Sequence, residues 1–367
     1  MSISIDVEEL GQIGGISQPK LAVALLAGVG VVSAWYVYRK HCKIPIHGGP
    51  SKLYQEIKNS NTILSEHLTP ELLLKLKKVE TSKGYTLNDL VQNGLNNIKN
   101  RQNREPGLII GDEECYEVFR ELIDPLLMKF YGINDMRSLK MECFNKVDWR
   151  KVKGGRLLDK RILSCVLCSS RNMSGYPFVS TINNQDREEI AAIFVRVLTR
   201  LSVPYRGDYA RLCNLAKWQQ ERLHLFEHYN IPSKEDEAPQ GLDLSWPDGR
   251  LIWWTEDRRC KAFVNFADHV KFVISRSKGD LQQILKDYME LVSSFETFLK
   301  VYEDKSFAWS FKYGYLTSNL TDIGTGLHVE VKLQFHEIHK TEFFERIKNS
   351  IPVVVEHSGM LSIFAYL

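Results

Sequence analysis

Residues 164–178 read SCVLCSSRNMSGYPF and hold a single C-x-x-C, Cys165 and Cys168. Thiols at that spacing do redox or zinc chemistry when a helix N-terminus or a second ligand pair stands beside them. Here they lie in a strand-like run, where side chains alternate and residues three apart point to opposite faces. The expectation is two small strand residues rather than a metal or disulfide centre. The second half, NMSGYPF, reads as a strict turn-and-strand motif.

The composition bounds what that stretch can serve. The chain has 367 residues, 44% hydrophobic and 25% charged, enough for one large or two modest folded domains. A formal net charge of +3, with no K/R-rich block and no paired C-x₂-C motifs, gives no sign of nucleic-acid binding or structural zinc. Seven cysteines, an odd number scattered from Cys42 to Cys260, suit a reducing compartment and not a disulfide framework.

Leu21–Tyr38, LAVALLAGVGVVSAWYVY, carries no charge. As a helix it would reach roughly 27 Å, close to the hydrocarbon thickness of a bilayer. Trp35, Tyr36 and Tyr38 sit at one end, with Arg39, Lys40 and Lys43 following and Asp6, Glu8 and Glu9 preceding. That charge asymmetry predicts a single-pass anchor with the large C-terminal part in the cytosol. A cleaved signal peptide is the rival reading, through Val32 and Ala34, but its leading region should be basic and this one is acidic apart from Lys20. The short, moderately apolar span with its immediate basic flank favours the outer mitochondrial membrane; the endoplasmic reticulum is the alternative. Cys42 is a candidate for palmitoylation, and Ala24 and Gly28 form only a weak small-residue face for pairing.

Five segments follow: a tail over 1–20, the anchor over 21–38, a Pro/Gly-marked linker over 39–49, a helical domain over 50–135 and an α/β domain over 136–367. In the helical domain, Thr69–Glu71 reads as a helix start, Leu72, Leu73, Leu74 and Leu76 as its apolar stripe, and Ser82–Gly84 as its stop. DEECYEVFRELIDPLLMKFYGI has an acidic start, and Pro125 predicts a break. Beyond about residue 155, strand-like runs (RLLDKRILSCVL, LIWWTEDRRCKAFVNF, HVKFVIS, HVEVKLQF) mix with amphipathic helices (QDREEIAAIFVRVLTRL, GDLQQILKDYMELVSSFETFLKVY, KTEFFERIKNS). Without strict βαβ alternation, that mixture predicts an α+β fold with a largely antiparallel sheet.

Taken in order, these blocks resemble the ATP:guanidino phosphotransferases, the arginine and creatine kinases, from about Leu53 to at least Phe335. The pieces are Leu68–Glu71, Thr81–Gly94, GDEECYEVF, DPLL, GYPF (Gly175–Phe178), WPDGR (Trp246–Arg250), VNFADH (Val264–His269), GDL (Gly279–Leu281), GYLT (Gly314–Thr317) and GTGL (Gly324–Leu327). The resemblance implies a small α-helical domain followed by an antiparallel sheet flanked by helices, here preceded by one transmembrane helix. It also implies phosphoryl transfer between ATP and a guanidino nitrogen, which rests on positioning and positive charge.

By the same resemblance, most of that charge is missing. Val166 and Cys168 stand where two phosphate-binding arginines are expected, and Leu244 replaces a third. Phe266 replaces the substrate-orienting glutamate, and Lys271 replaces an arginine without supplying its bidentate fork. Asn319 stands near the position of the substrate-site cysteine, and no cysteine follows Cys260. His328 is the nearest basic group to another missing arginine, and Arg346 is the only arginine after Arg276. Arg171 matches a family arginine that is mainly structural. The tail VVVEHSGMLSIFAYL is short against the family's mobile closing loop and following helix; Glu356 is its one carboxylate. Losing one such stabiliser costs on the order of 10²–10³ in rate, so losing several leaves little catalysis.

The expected function is a membrane-anchored, catalytically inactive binding or scaffold module with no cofactor, no metal and a protein partner. An active divergent phosphagen kinase is the alternative, using ATP with Mg and with Arg171, Lys271 and Arg276 standing in for the lost arginines. A third reading is a sensor whose cleft, lined by Val166, Leu244 and Phe266, takes a neutral or peptide ligand, set against plain filling of that cleft by core packing.

Overall fold

The computed structural model describes residues 50–98, 105–136, 162–216, 218–219, 247–278, 281–334, 353–355 and 360–366. Residues 1–57 and 58–367 form two compact units. Of the first, the structure describes the opening turns of α1 (Pro50–Asn59). The expected anchor over 21–38 lies outside the described residues; among those described, no helix is long and apolar enough to cross a membrane.

The second unit opens with short helices, α2 (Leu64–His67), α3 (Pro70–Leu76), α4 (Leu87–Ile98), α5 (Cys115–Val118) and α6 (Arg120–Tyr131). Thr69 caps α3 as its sequence predicts, its side chain accepting from Leu72 N–H at 3.2 Å. Two local expectations fail. Helix α3 already ends at Leu76, and Ser82–Gly84 instead turns the chain between the bridged residues Glu80 and Thr86. Pro125 does not break its helix: α6 runs through it to a left-handed Gly132. Leu122, Ile123, Leu126 and Leu127 are all buried on one side of α6, and that packing outweighs the hydrogen bond a proline lacks.

The rest is one eight-stranded antiparallel sheet in the order β2-β3-β4-β5-β1-β8-β10-β9. Its strands are β1 (Ile162–Arg171), β2 (Gly207–Arg211), β3 (Leu251–Thr255), β4 (Cys260–Val264), β5 (Val270–Ser277), β8 (Leu327–Gln334), β9 (Val353–Val355) and β10 (Met360–Tyr366). A small hairpin, β6 (Trp309–Ser310) with β7 (Gly314–Tyr315), stands apart from it. Helices α7 (Asn184–Leu198) and α8 (Leu281–Glu303) cover one face. Between them and the sheet lies the main core, including Cys165, Leu167, Trp253, Phe272, Ile274, Phe194 and Phe295. The α+β architecture and the antiparallel sheet are as the sequence predicts. The C-terminal residues extend that sheet, with β10 antiparallel to β8 and only residues 356–359 between β9 and β10.

A buried polar knot holds the sheet to its loops. Asp268 accepts from Asn172 Nδ2 at 2.6 Å and from Ser318 N–H at 2.7 Å, while Asn172 Oδ1 accepts from His269 N–H at 2.9 Å. The His269 ring accepts from Met173 N–H at Nδ1 and donates from Nε2 to the Pro177 carbonyl. Phe178, delivered by the GYPF turn, is fully buried against that ring, and its N–H donates to the Gly111 carbonyl. Burial pushes the Asp268 carboxyl up, with the Ser318 bond opposing. Burial also pushes His269 down to about 3, with the Pro177 bond opposing and the Lys83 charge adding.

An unfolded histidine takes up its proton near pH 6.5, whereas the folded one stays neutral, so the knot favours folding above that pH and loses stability as pH falls toward about 3. The urea midpoint should drop between pH 7 and 5 by an amount matching roughly 2 kcal/mol from this group. NMR should show the His269 ring signals unmoved over that range, and a normal titration would overturn the assignment.

Candidate functional site

Strand β1 carries the site and sorts its residues by face. It pairs with β5 on one side, Val166 opposite Ser275 and Cys168 opposite Val273. On the other side it pairs with β8, Val166 opposite Glu330 and Cys168 opposite His328. Side chains of paired residues share a face, so Val166, Cys168, Lys271, Val273, His328 and Glu330 all lie on the face away from α7 and α8. Cys165, Leu167, Arg171 and Arg276 lie on the helix face.

The two thiols therefore point apart, as the alternation predicts, and both are free. Burial, with the Glu330 charge adding, pushes Cys165 up to about 12; Cys168 is raised by burial too. Neither is a reactive thiolate. Among the described residues no group of three His, Cys, Asp or Glu side chains could hold a metal ion.

On the open face, Val166 (5% exposed) and Phe266 (3%) pack with Leu212, Ile252, Phe263 and Val273, and Cys168, Leu215 and Trp254 join from the rim. Phe263 and Phe266 meet edge to face, ring centres 5.6 Å apart. Val166, Cys168 and Phe266, at three of the positions where phosphate-binding arginines and an orienting carboxylate are expected, thus belong to one apolar cluster. The buried side chains of the cluster, Val166, Leu212, Ile252, Phe263, Phe266 and Val273, offer a triphosphate no donors to replace the water it would lose. Leu244, Arg346 and Glu356 lie outside the described residues.

Two of the three cationic stand-ins are corrected by the structure. Arg276 projects from the helix face of β5 onto α8, where Asp287 accepts from its Nη2 at 2.7 Å and Nε at 3.0 Å. Arg171 is buried on that same face. It donates to the Ser170 carbonyl, reaches the Tyr288 hydroxyl and stacks 3.7 Å from the centre of the Tyr315 ring. Gly326, at φ +63°, makes room for it: a Cβ there would stand 2.6 Å from Arg171 Nη1. Both arginines hold the sheet to α8 and the GTGL loop, from the face opposite Val166. Lys271 alone of the three shares that face.

Asn319 has a structural role. Its side chain caps a 3₁₀ turn, Leu320–Asp322, by accepting from Thr321 N–H, and its backbone bridges Ile109. That turn delivers Asp322 to His328, Nε2 to Oδ1 at 2.9 Å. Burial works to raise the Asp322 carboxyl, but the His328 bond and charge, the Lys271 charge and the Thr321 hydroxyl prevail and hold it below the usual range. Sequence reasoning missed Asp322 altogether. Its spacing of six from His328 across a double-glycine turn is the one signal that could have suggested it.

Two family models match the chain. One described as ATP:guanido phosphotransferase, N-terminal domain, covers residues 58–128, and one described as its C-terminal catalytic domain covers residues 189–355. Strand β1 falls between the two matched ranges. Creatine kinase M-type of Canis lupus familiaris is 26% identical over 312 residues, 84% of this chain and 80% of that one. The Rattus norvegicus protein of the same name is 27% identical over the same lengths. Among solved structures, lombricine kinase has a TM-score of 0.71 at 23% identity, covering 85% of both chains. The substrate-free duplicated taurocyamine kinase of Schistosoma mansoni has a TM-score of 0.73 at 20% identity, covering 86% of this chain and 45% of its own. These structures share the fold.

Restoring an arginine at Val166 should not restore a phosphate site. It would place an unpaired guanidinium in the apolar cluster, at a cost of about 3 kcal/mol or more. Chemical denaturation of Val166→Arg should show that loss; an unchanged midpoint would mean that the cluster around Val166 is not a sealed apolar core.

Proposed function

Because this chain belongs to the ATP:guanido phosphotransferase family, we propose that it is a member that keeps the fold and has given up the reaction. It serves instead as a binding or scaffold module, held by residues 21–38 in a membrane, in our reading the outer mitochondrial one, and facing the cytosol. The observation that carries this reading is the apolar cluster of Val166, Phe263, Phe266 and Val273 on the face where the family reaction needs positive charge.

In a coupled assay with Mg·ATP, the full chain should transfer no phosphoryl group to creatine, lombricine, taurocyamine or arginine above the protein-free rate. Turnover in the ordinary range for kinases, about 1–100 per second, would refute the proposal. Alkaline carbonate extraction tests the anchor separately: the full chain should stay in the membrane pellet, and a chain lacking residues 21–38 should leave it. Release of the full chain would remove the anchor from the reading while leaving the silent site standing.

A further inference from the structure

Two basic side chains remain beside Cys168 on the open face of the sheet, Lys271 on β5 and His328 on β8. A carboxylate has been brought to the second of them. Asp322 Oδ1 lies 2.9 Å from His328 Nε2 and takes the Thr321 hydroxyl at 2.8 Å. The loop that presents it is fixed at several points. Asn319 Oδ1 accepts from Thr321 N–H, the Thr317 hydroxyl donates to the Asn319 carbonyl, and the Tyr131 hydroxyl donates to the Thr321 carbonyl. The pair is not sealed, because the His328 and Asp322 side chains are 26% and 18% exposed.

A carboxylate and a phosphate present the same kind of group to a cationic pair: anionic oxygens with several lone pairs. We propose that Asp322 is the built-in occupant of a residual oxyanion site formed by His328 and Lys271, and that this site, once freed of Asp322, takes a phosphate-class anion. Other charges are placed so as to leave this arrangement intact. Glu330, next on the same face of β8, lies 3.9 Å from Lys332. Lys261, on β4, is buried on the far side of Val273. The inference deepens the silent-site reading by giving it a cause besides the missing arginines: the His328 imidazole is already engaged.

The test uses the full chain and inorganic phosphate and pyrophosphate as probes, by calorimetry. Asp322→Asn should bind phosphate about tenfold or more tightly than the wild type, through loss of one like-charge repulsion. Adding His328→Gln should abolish the gain. A folded Asp322→Asn chain with no gain, or a gain that survives His328→Gln, overturns the proposal. Should Asp322→Asn fail to fold, the wild type still decides. Its His328 ring signals should stay unmoved as phosphate is added, and a saturable shift would show a site that Asp322 does not fill. Phosphoryl transfer by the wild type would refute the silent-site reading, whereas these outcomes bear on Asp322 alone.

Discussion

A carboxylate with little access to water must find donors or lose its charge, and Asp268 sits under that constraint. Its donors come from two distant segments, Asn172 at the exit of β1 and Ser318 in the loop before the GTGL turn. The neighbouring His269 ties in Met173 and Pro177, so the GYPF turn is held by the same knot. None of the three segments can shift without leaving a buried polar group unmet. The sheet, the turn that buries Phe178 and the loop that presents Asp322 all take their positions from this set of bonds.

That dependence separates what holds the fold from the face where the family's reaction needs charge. The knot, Arg171 on the Tyr315 ring and Arg276 on Asp287 all work on the sheet's helix face or at its loop end. The positions where the resemblance expects phosphate-binding charge are on the opposite face of the same strand. Clustered arginines without a ligand repel one another and resist burial, so Val166 and Cys168 at two of those positions avoid a strain that only a bound anion would relieve. The bonds that hold the sheet to its helices and loops lie on one side of β1, and Val166 and Cys168, at two of the positions that match phosphate-binding arginines, lie on the other.

Much of the architecture was legible because it depends on local spacing. The Thr69 cap, the alternation that parts Cys165 from Cys168, and the long amphipathic pattern of α8 are properties of neighbouring residues. Pro125 misled, since its local penalty is set against four buried apolar neighbours on α6 and is outweighed there. Ser82–Gly84 misled in the other direction: a glycine signals a turn, and whether that turn ends a helix or joins a bridge depends on what Glu80 and Thr86 meet.

The site divides along the same line. The types of residue at 166, 168, 266, 271 and 319 follow from the order of motifs along the chain, and with them the loss of positive charge. Which cations remain together does not. Lys271 and Arg276 are equal candidates in one dimension, five apart on one strand, but an odd spacing in a strand sends them to opposite faces, and pairing with β1 decides which face is which. Asp322 and His328 are brought to 2.9 Å by a loop whose shape is set by the Asn319 cap and the Asp268–Ser318 bond. Local composition could name the missing groups, but only long-range hydrogen bonding could say what had taken their place.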